Sequence, residues 1–282
     1  MATHNRRDRV LGSLERLHAL AEGPPVIVVD NASTDGTAEA VRARHPGTTV
    51  LRLGRNLGAA GRNVGVRHAR TRFVAFADDD SWWGPGALGR AAALLDGHPA
   101  LAVIAARTLV GADERLDPTS IELAGSELDH RHSDSPGVAV LGFLACAAVV
   151  RRRPFLDAGG FSARYGVGGE EELLAIDLAS RGWDLAYVDE VVAHHHPSRG
   201  DGRTRRSVVQ TRNAIWTAWL RLPGRMALQR TARLLDARDP ASRIALFEAV
   251  RGLPWVLRER RVVRSEVVHA LRTLERRGAR SA

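Results

Sequence analysis

The 282-residue chain predicts an α/β fold, with a doubly wound, mostly parallel sheet over residues 1–204 and a basic helical extension over 205–282. Three observations carry that prediction. Near-continuous apolar runs alternate with helix-patterned stretches between residues 26 and 193. Such alternation makes parallel strands buried on both faces and joined by right-handed helical crossovers. Several runs end in clusters of Asp, Asn and Ser, and open α/β sheets bind ligands beyond the carboxyl ends of their strands. From Arg205 onward the apolar residues recur at helical spacing instead.

In chain order, THNR (3–6) leads into a helix from about Asp8 to Leu20. VIVV (26–29) is a strand that runs into Asp30, and NASTDGT turns into a helix over roughly 36–45, with Asp35 as its cap. TVLRL (49–53) is the next strand. GRNLGAAGRNVGVRHAR (54–70) carries small residues that let a helix start, near 58, approach both the sheet and a ligand. RFVAFA (72–77) is a strand ending in Asp78, Asp79 and Asp80, followed by a helix over 86–96 and the strand LAVIAA (101–106). Gly111 to Gly137, rich in Asp, Ser and Pro, is an irregular excursion, and AVLGFLACAAVV (139–150) is a further strand. GGFSARYGVGGEEELLAIDLASRGW (159–183) opens on glycines and continues as a helix to about Gly182, and VVAHHHPS (191–198) is extended. Helical patterns then fill 208–222, 242–257 and 265–277.

Composition removes several classes. Every basic residue is arginine, so there is no Walker-A lysine, no pyridoxal Schiff base and no lysine general base. The single cysteine, Cys146, excludes an internal disulfide and a cysteine-based zinc site. The longest apolar run, Val138 to Val150, has 13 residues where a membrane span takes about 20. The N-terminus lacks the apolar stretch of a signal peptide, which points to the cytoplasm. Charge is divided unevenly: residues 1–198 hold 21 Arg against 25 acids, and residues 199–282 hold 20 Arg against 7. A basic tail of this kind meets solvent, nucleic acid or an anionic membrane surface.

Five segments can carry chemistry. Asp30, at a strand end and too early to cap the next helix, suits the N–H of a nucleobase or a ribose hydroxyl. Arg62 near a helix start suits a diphosphate. Three adjacent aspartates repel unless a cation sits among them, and Asp78 and Asp80, two apart, project the same way to hold magnesium or manganese. Glu170, Glu171 and Glu172 complement a helix dipole, and one of them turned into a cleft is a general base. His194 and His196 share one face of an extended segment and His195 takes the other.

Taken in order, these segments resemble family 2 glycosyltransferases, nucleotide-sugar-dependent inverting enzymes of GT-A fold, over about residues 3–222. By that resemblance Thr3, His4 and Asn5 touch the nucleobase, Asp30 binds the uracil or its equivalent, and Asn56 and Arg62 lie beneath ribose and diphosphate. Asp78 and Asp80 match the DxD motif, with Asp80 the direct ligand of Mg2+ or Mn2+ and Asp79 beside Asp78 in the donor site. Glu171 matches the catalytic base, with Glu170 and Glu172 as its alternatives, and His194 matches a histidine near the metal, with His196 left open. The resemblance implies a nucleoside-diphosphate sugar donor and a glycan or lipid-linked acceptor, as in cell-envelope polysaccharide synthesis. It also implies several apolar residues ahead of THNR, where this chain has Met1 and Ala2. The first strand is therefore expected as a stub, with an upstream start codon and a longer, more stable form.

Two other functions compete. A nucleotidyltransferase of related fold leans on a glycine-rich first loop and a lysine, which this chain lacks. An inactive relative would use the arginine-rich tail to bind nucleic acid, stacking bases on Trp216, Trp219 and Trp255. Their helical spacing favours core packing, so no specific nucleic acid is expected. Reversible attachment of residues 205–282 to anionic membrane is expected, at the inner face of the cell membrane.

Overall fold

The computed structural model describes residues 1–197, 203–235 and 239–281, so Ser198 of the histidine motif lies outside the described residues. Strands β1 (Ala2–Thr3), β2 (Ile27–Asp30) and β3 (Thr49–Arg52) form a parallel sheet in that order, with Ala2 opposite Val29 and Ile27 opposite Thr49. Helices α1 (Arg7–His18), α2 (Thr37–Arg44) and α3 (Gly61–His68) connect and flank these strands, close to where periodicity put them. α1 turns Val10, Leu11, Leu14 and Leu17 inward, the three- and four-residue spacing of an amphipathic helix.

A second sheet holds β4 (Phe73–Ala75), β5 (Ser81–Trp83), β6 (Leu101–Val110), β7 (Arg115–Leu116), β8 (Val138–Ala139), β9 (Ala148–Arg151) and β10 (Asp184–His195). Its order is β4-β9-β6-β10-β5, with β7 on β6 and β8 on β10. β6 and β10 run parallel, and the remaining pairs in this sheet are antiparallel. The parallel character read from the sequence thus holds for β1–β3 and for the β6–β10 pair. α4 (Ala87–Gly97), α6 (Arg152–Asp157) and α7 (Glu170–Ser180) complete the domain, and α5 (Pro118–Ala124) sits with β7 inside the excursion read as irregular.

Val103, Ala105, Ala148 and Val150 face one core with Phe155 and Phe161, while Ile104, Ala106 and Val149 face another with Trp83 and Leu95. That alternation within continuous apolar runs is what burial on both faces requires. The 139–150 run is not one strand. β8 pairs with β10 and β9 lies between β4 and β6, so the intervening residues cross the core, burying Val140, Phe143 and Ala145. Periodicity alone does not separate a buried strand from a buried crossing.

The two sheets meet where Ala2 bridges to Asp78. β1 is the expected stub, and below it a cavity of about 750 Å³, lined by Val26, Ile27, Phe73, Val74 and Phe76, separates β2 from β4. The Met1 ammonium is buried at its mouth, 3.0 Å from Ile27 O, and burial, with Arg62 nearby, pushes its pKa down to about 5.

C-terminal helices α8 (Arg203–Arg221), α9 (Gly224–Leu234), α10 (Pro240–Arg258) and α11 (Ser265–Ser281) pack onto α7, whose Leu173 and Ile176 join their cores. Trp216 is buried, donating to Ala249 O at 3.0 Å, and Trp219 donates to Thr231 Oγ1 at 3.0 Å. Those rings are core, not a base-stacking platform. No helix among the described residues is long and apolar enough to cross a membrane.

Candidate active site

The carboxyl ends of β1 and β2 and the turn after β4 converge. Thr3 Oγ1 donates to Asp79 Oδ2 at 2.8 Å, and His4 Nδ1 lies 2.8 Å from Asn31 O. Asn5, in the left-handed region at φ 52°, accepts from Thr34 N–H at 2.8 Å and donates its own N–H to Ser33 Oγ at 2.9 Å. Asp30 is fully buried: Oδ1 accepts from Ser33 N–H at 2.9 Å, while Oδ2 has no hydrogen-bond partner and lies 3.7 Å from Arg52 Nε. An orphaned buried acceptor is costly unless something donates to it.

Asn31 organises the following loop by accepting from Leu57 N–H and donating to Gly58 O, both at 3.2 Å. Asn56 is exposed and its Oδ1 accepts from Gly58 N–H at 2.8 Å. Gly58 has φ 57° and a Cβ there would lie 2.6 Å from Gly166 O, so only glycine lets this loop press against the glycine-rich segment, where Ala59 N–H donates to Gly166 O at 2.8 Å.

Each aspartate of the acidic turn has its own partner. Asp78 pairs with the buried guanidinium of Arg62 and holds its charge against desolvation. Burial, reinforced by Asp80 and Asp78, pushes the Asp79 carboxyl up to about 6 despite the Thr3 hydrogen bond. At Asp80 burial also favours the acid, but His195, with Nε2 3.4 Å from Oδ1, and Arg9, at 3.9 Å, outweigh it and hold the carboxyl below its ordinary value. His195 in turn is desolvated, yet Asp80 and Asp78 keep its pKa raised.

The imidazole beside Asp80 is therefore His195, which sequence reasoning set apart from His194 and His196. His194 Nδ1 lies 3.0 Å from Glu114 Oε1 and its ring stacks on Trp82 at 5.4 Å. His196 packs against Trp82 at 4.6 Å and donates its N–H to Asp80 O at 2.8 Å. The face was legible from alternation. What decided it was the pairing of His195 with Ser81 in β10–β5, and β5 carries no apolar run long enough to reveal it.

Among the described residues no three His, Cys, Asp or Glu side chains converge as a metal cage. Asp80 and His195 do stand side by side, with Asp78 committed to Arg62. Magnesium-type sites take one or two protein donors and complete their shell with water and substrate phosphate. The donor set fits a divalent cation held jointly with a diphosphate.

The third wall is the start of α7. Gly168 and Gly169 have φ of 109° and 84°, and they deliver three consecutive glutamates into different surroundings. Glu170 is buried and accepts from Gly168 N–H, and desolvation, with Glu171 adjacent, pushes it up to about 8. Glu172 pairs with Arg230 of α9. Glu171 is half-buried, and burial raises its carboxyl against the opposing pull of its own backbone N–H, of Arg62 and of the Ala145 backbone N–H, with Asp78 adding repulsion. Asn213 of α8, fully buried, donates to Tyr165 O at 3.0 Å and to Gly168 O, and Arg212 donates to Tyr165 O at 2.9 Å. Sequence reasoning missed this clamp, whose one signal is an Asn on the apolar face of TRNAIW.

Residues 1–158 match the family model described as glycosyl transferase family 2. The N-acetylglucosaminyl-diphospho-decaprenol L-rhamnosyltransferase of Mycobacterium tuberculosis is 29% identical over 229 residues, covering 70% of this chain and 73% of that protein. The succinoglycan biosynthesis protein ExoU of Rhizobium meliloti is 27% identical over 194 residues, 64% of this chain and 56% of that one. Among solved structures, S. aureus TarS 1-349 in complex with UDP-GlcNAc aligns with a TM-score of 0.63 at 18% identity, over 99% of this chain and 90% of that chain. The Pyrobaculum calidifontis mannosyltransferase in complex with GDP-Man and Mn2+ aligns at 0.59 and 22% identity, over 96% and 72%. With more than half its length inside the family model, including the strand ends that carry Thr3, Asp30 and Asp78 to Asp80, the chain belongs to glycosyl transferase family 2 and is a glycosyltransferase of GT-A fold.

Proposed function

We propose that the enzyme transfers a sugar from a nucleoside-diphosphate sugar to an acceptor hydroxyl, with inversion at the anomeric carbon and with Mg2+ or Mn2+ at Asp80. The observation that carries this reading is the division among three glutamates: Glu170 is spent on Gly168 N–H and Glu172 on Arg230, whereas Glu171 meets only backbone N–H groups, its own and that of Ala145, in the field of Arg62 and Asp78. Glu171 takes the proton from the acceptor hydroxyl, which attacks the anomeric carbon from the side opposite the leaving diphosphate. Its raised proton affinity suits a base working near neutral pH. The orphan oxygen of Asp30 receives a nucleobase N–H, with Thr3, His4 and Asn5 around it, and Asn56 and Arg62 lie along ribose and diphosphate. Asp80, with His195 beside it, would hold a divalent cation, which would supply charge neutralisation for the leaving diphosphate. His195 replaces His194 or His196 as the imidazole at that position. Residues 1–204 hold this chemistry, and the helices from 205 onward brace it.

The name of the M. tuberculosis relative specifies a decaprenol-diphosphate-linked acceptor, which supports a lipid-linked acceptor in envelope polysaccharide synthesis for this chain too. Thermal shift with a panel of nucleoside diphosphates tests the donor site. One base should stabilise the protein in a manganese-dependent way, and Asp80→Asn should remove that dependence while leaving the unliganded melting temperature in place. Manganese-dependent stabilisation that survives in Asp80→Asn would contradict the assignment.

A further inference from the structure

We infer that the outer face of α10 docks the protein on an anionic lipid bilayer. α10 turns Ala241, Ala245, Ala249, Gly252 and Val256 inward, at the spacing of one helix face, and Gly252 lies under the Trp216 ring, where a Cβ would come within 2.6 Å. The opposite face is apolar too. Phe247 is 62% exposed, Leu257 55%, Val250 52% and Ile244 49%, and with Leu246 they make up five of the nine large apolar side chains exposed among the described residues. Singly scattered exposed residues mean little, whereas a cluster on one helix marks an interaction surface.

Exposed arginines stand among these side chains: Arg243, Arg251 and Arg258, with the Arg251 guanidinium 5.6 Å from the Phe247 ring. The acids nearby are engaged, Glu248 by Arg205 and Arg212 and Glu259 by Arg164 and Arg258. An exposed helix face that interleaves large apolar side chains with arginines suits the plane of an anionic interface, apolar groups in the acyl boundary and guanidinium groups reaching up to the phosphates. Charge selects this occupant. A second copy docked face to face would set arginine rows against each other. A nucleic acid would neutralise the arginines and leave Phe247, Val250 and Leu257 in water.

The inference does not depend on the transfer reaction, because its test reads binding alone. The full chain is floated with vesicles of phosphatidylcholine and with vesicles containing phosphatidylglycerol. It should partition to the anionic vesicles, and salt should weaken the partition. Phe247→Glu with Val250→Glu should lower the partition coefficient about tenfold or more, as should Arg251→Gln with Arg258→Gln. All four side chains are exposed, so melting temperatures should match the parent. The inference is overturned if the parent binds neither vesicle, or if the Glu variant binds as the parent does. It is equally overturned if sedimentation velocity shows a parent dimer that this variant abolishes.

Discussion

Glu170, Glu171 and Glu172 are adjacent and chemically alike, and nothing in the string EEE separates them. Their surroundings do, and those come from elsewhere: a loop N–H for Glu170, an arginine of α9 for Glu172, and for Glu171 the Ala145 backbone in the field of Arg62 and Asp78. The same holds for His195, selected by the β5–β10 register. Residue types and their order were therefore legible in the sequence, while the roles within each cluster were not. Burial of Glu170 has a measurable consequence. Between about pH 4.5 and 8 the folded protein keeps a proton on Glu170 that the unfolded chain releases, so this group's stabilising contribution is lost as pH rises through that window. Glu170→Gln cannot release a proton and keeps an oxygen for Gly168 N–H. Its stability relative to the parent should grow steadily with pH between 5 and 8 in urea titrations. A difference that stays flat from pH 5 to 8 would show Glu170 to be ionised in the folded protein.

At the scale of elements, β2, β3, β6 and helices α1 to α4 follow apolar periodicity closely. β5, the length of β10 and the crossing within 139–150 do not, because those segments are defined by long-range pairing and not by local pattern. The loop before α7 is likewise set from outside, by Asn213. Asn213→Ala removes the side-chain donor from Gly168 O and leaves Tyr165 O with Arg212 alone, a loss of about 1–3 kcal/mol. Because that loop places Glu171, turnover should fall along with stability, whereas Asn213→Asp, which cannot donate from its carboxylate, should not rescue it. Full activity in Asn213→Ala would dissociate the clamp from catalysis. β1 makes a second expectation. An amide at the Met1 nitrogen keeps the donor to Ile27 O without the burial-disfavoured ionisable amine, and a strand running back from it would fill the cavity between β2 and β4. Joining a short run of valine and isoleucine to Met1 should raise the melting temperature in calorimetry. No change would mean the slot does not accept a strand.

Over the whole molecule, two sheets meeting at Ala2 and Asp78 bring together residues spread from Thr3 to His195, and the C-terminal helices fix the third wall through Asn213 and Arg230. The division into an acidic first part and an arginine-rich remainder was legible from composition. That the second part shares a core with α7 was not, since the apolar faces of separate amphipathic helices carry no record of what they meet. In the proposed transfer, this assembly places Glu171 as the base. The most direct test is the turnover of Glu171→Gln against the parent, with the nucleotide sugar selected by thermal shift and donor affinity measured alongside. Turnover should fall on the order of 10²–10⁴-fold with donor affinity nearly unchanged. Parent-like turnover in Glu171→Gln would contradict it.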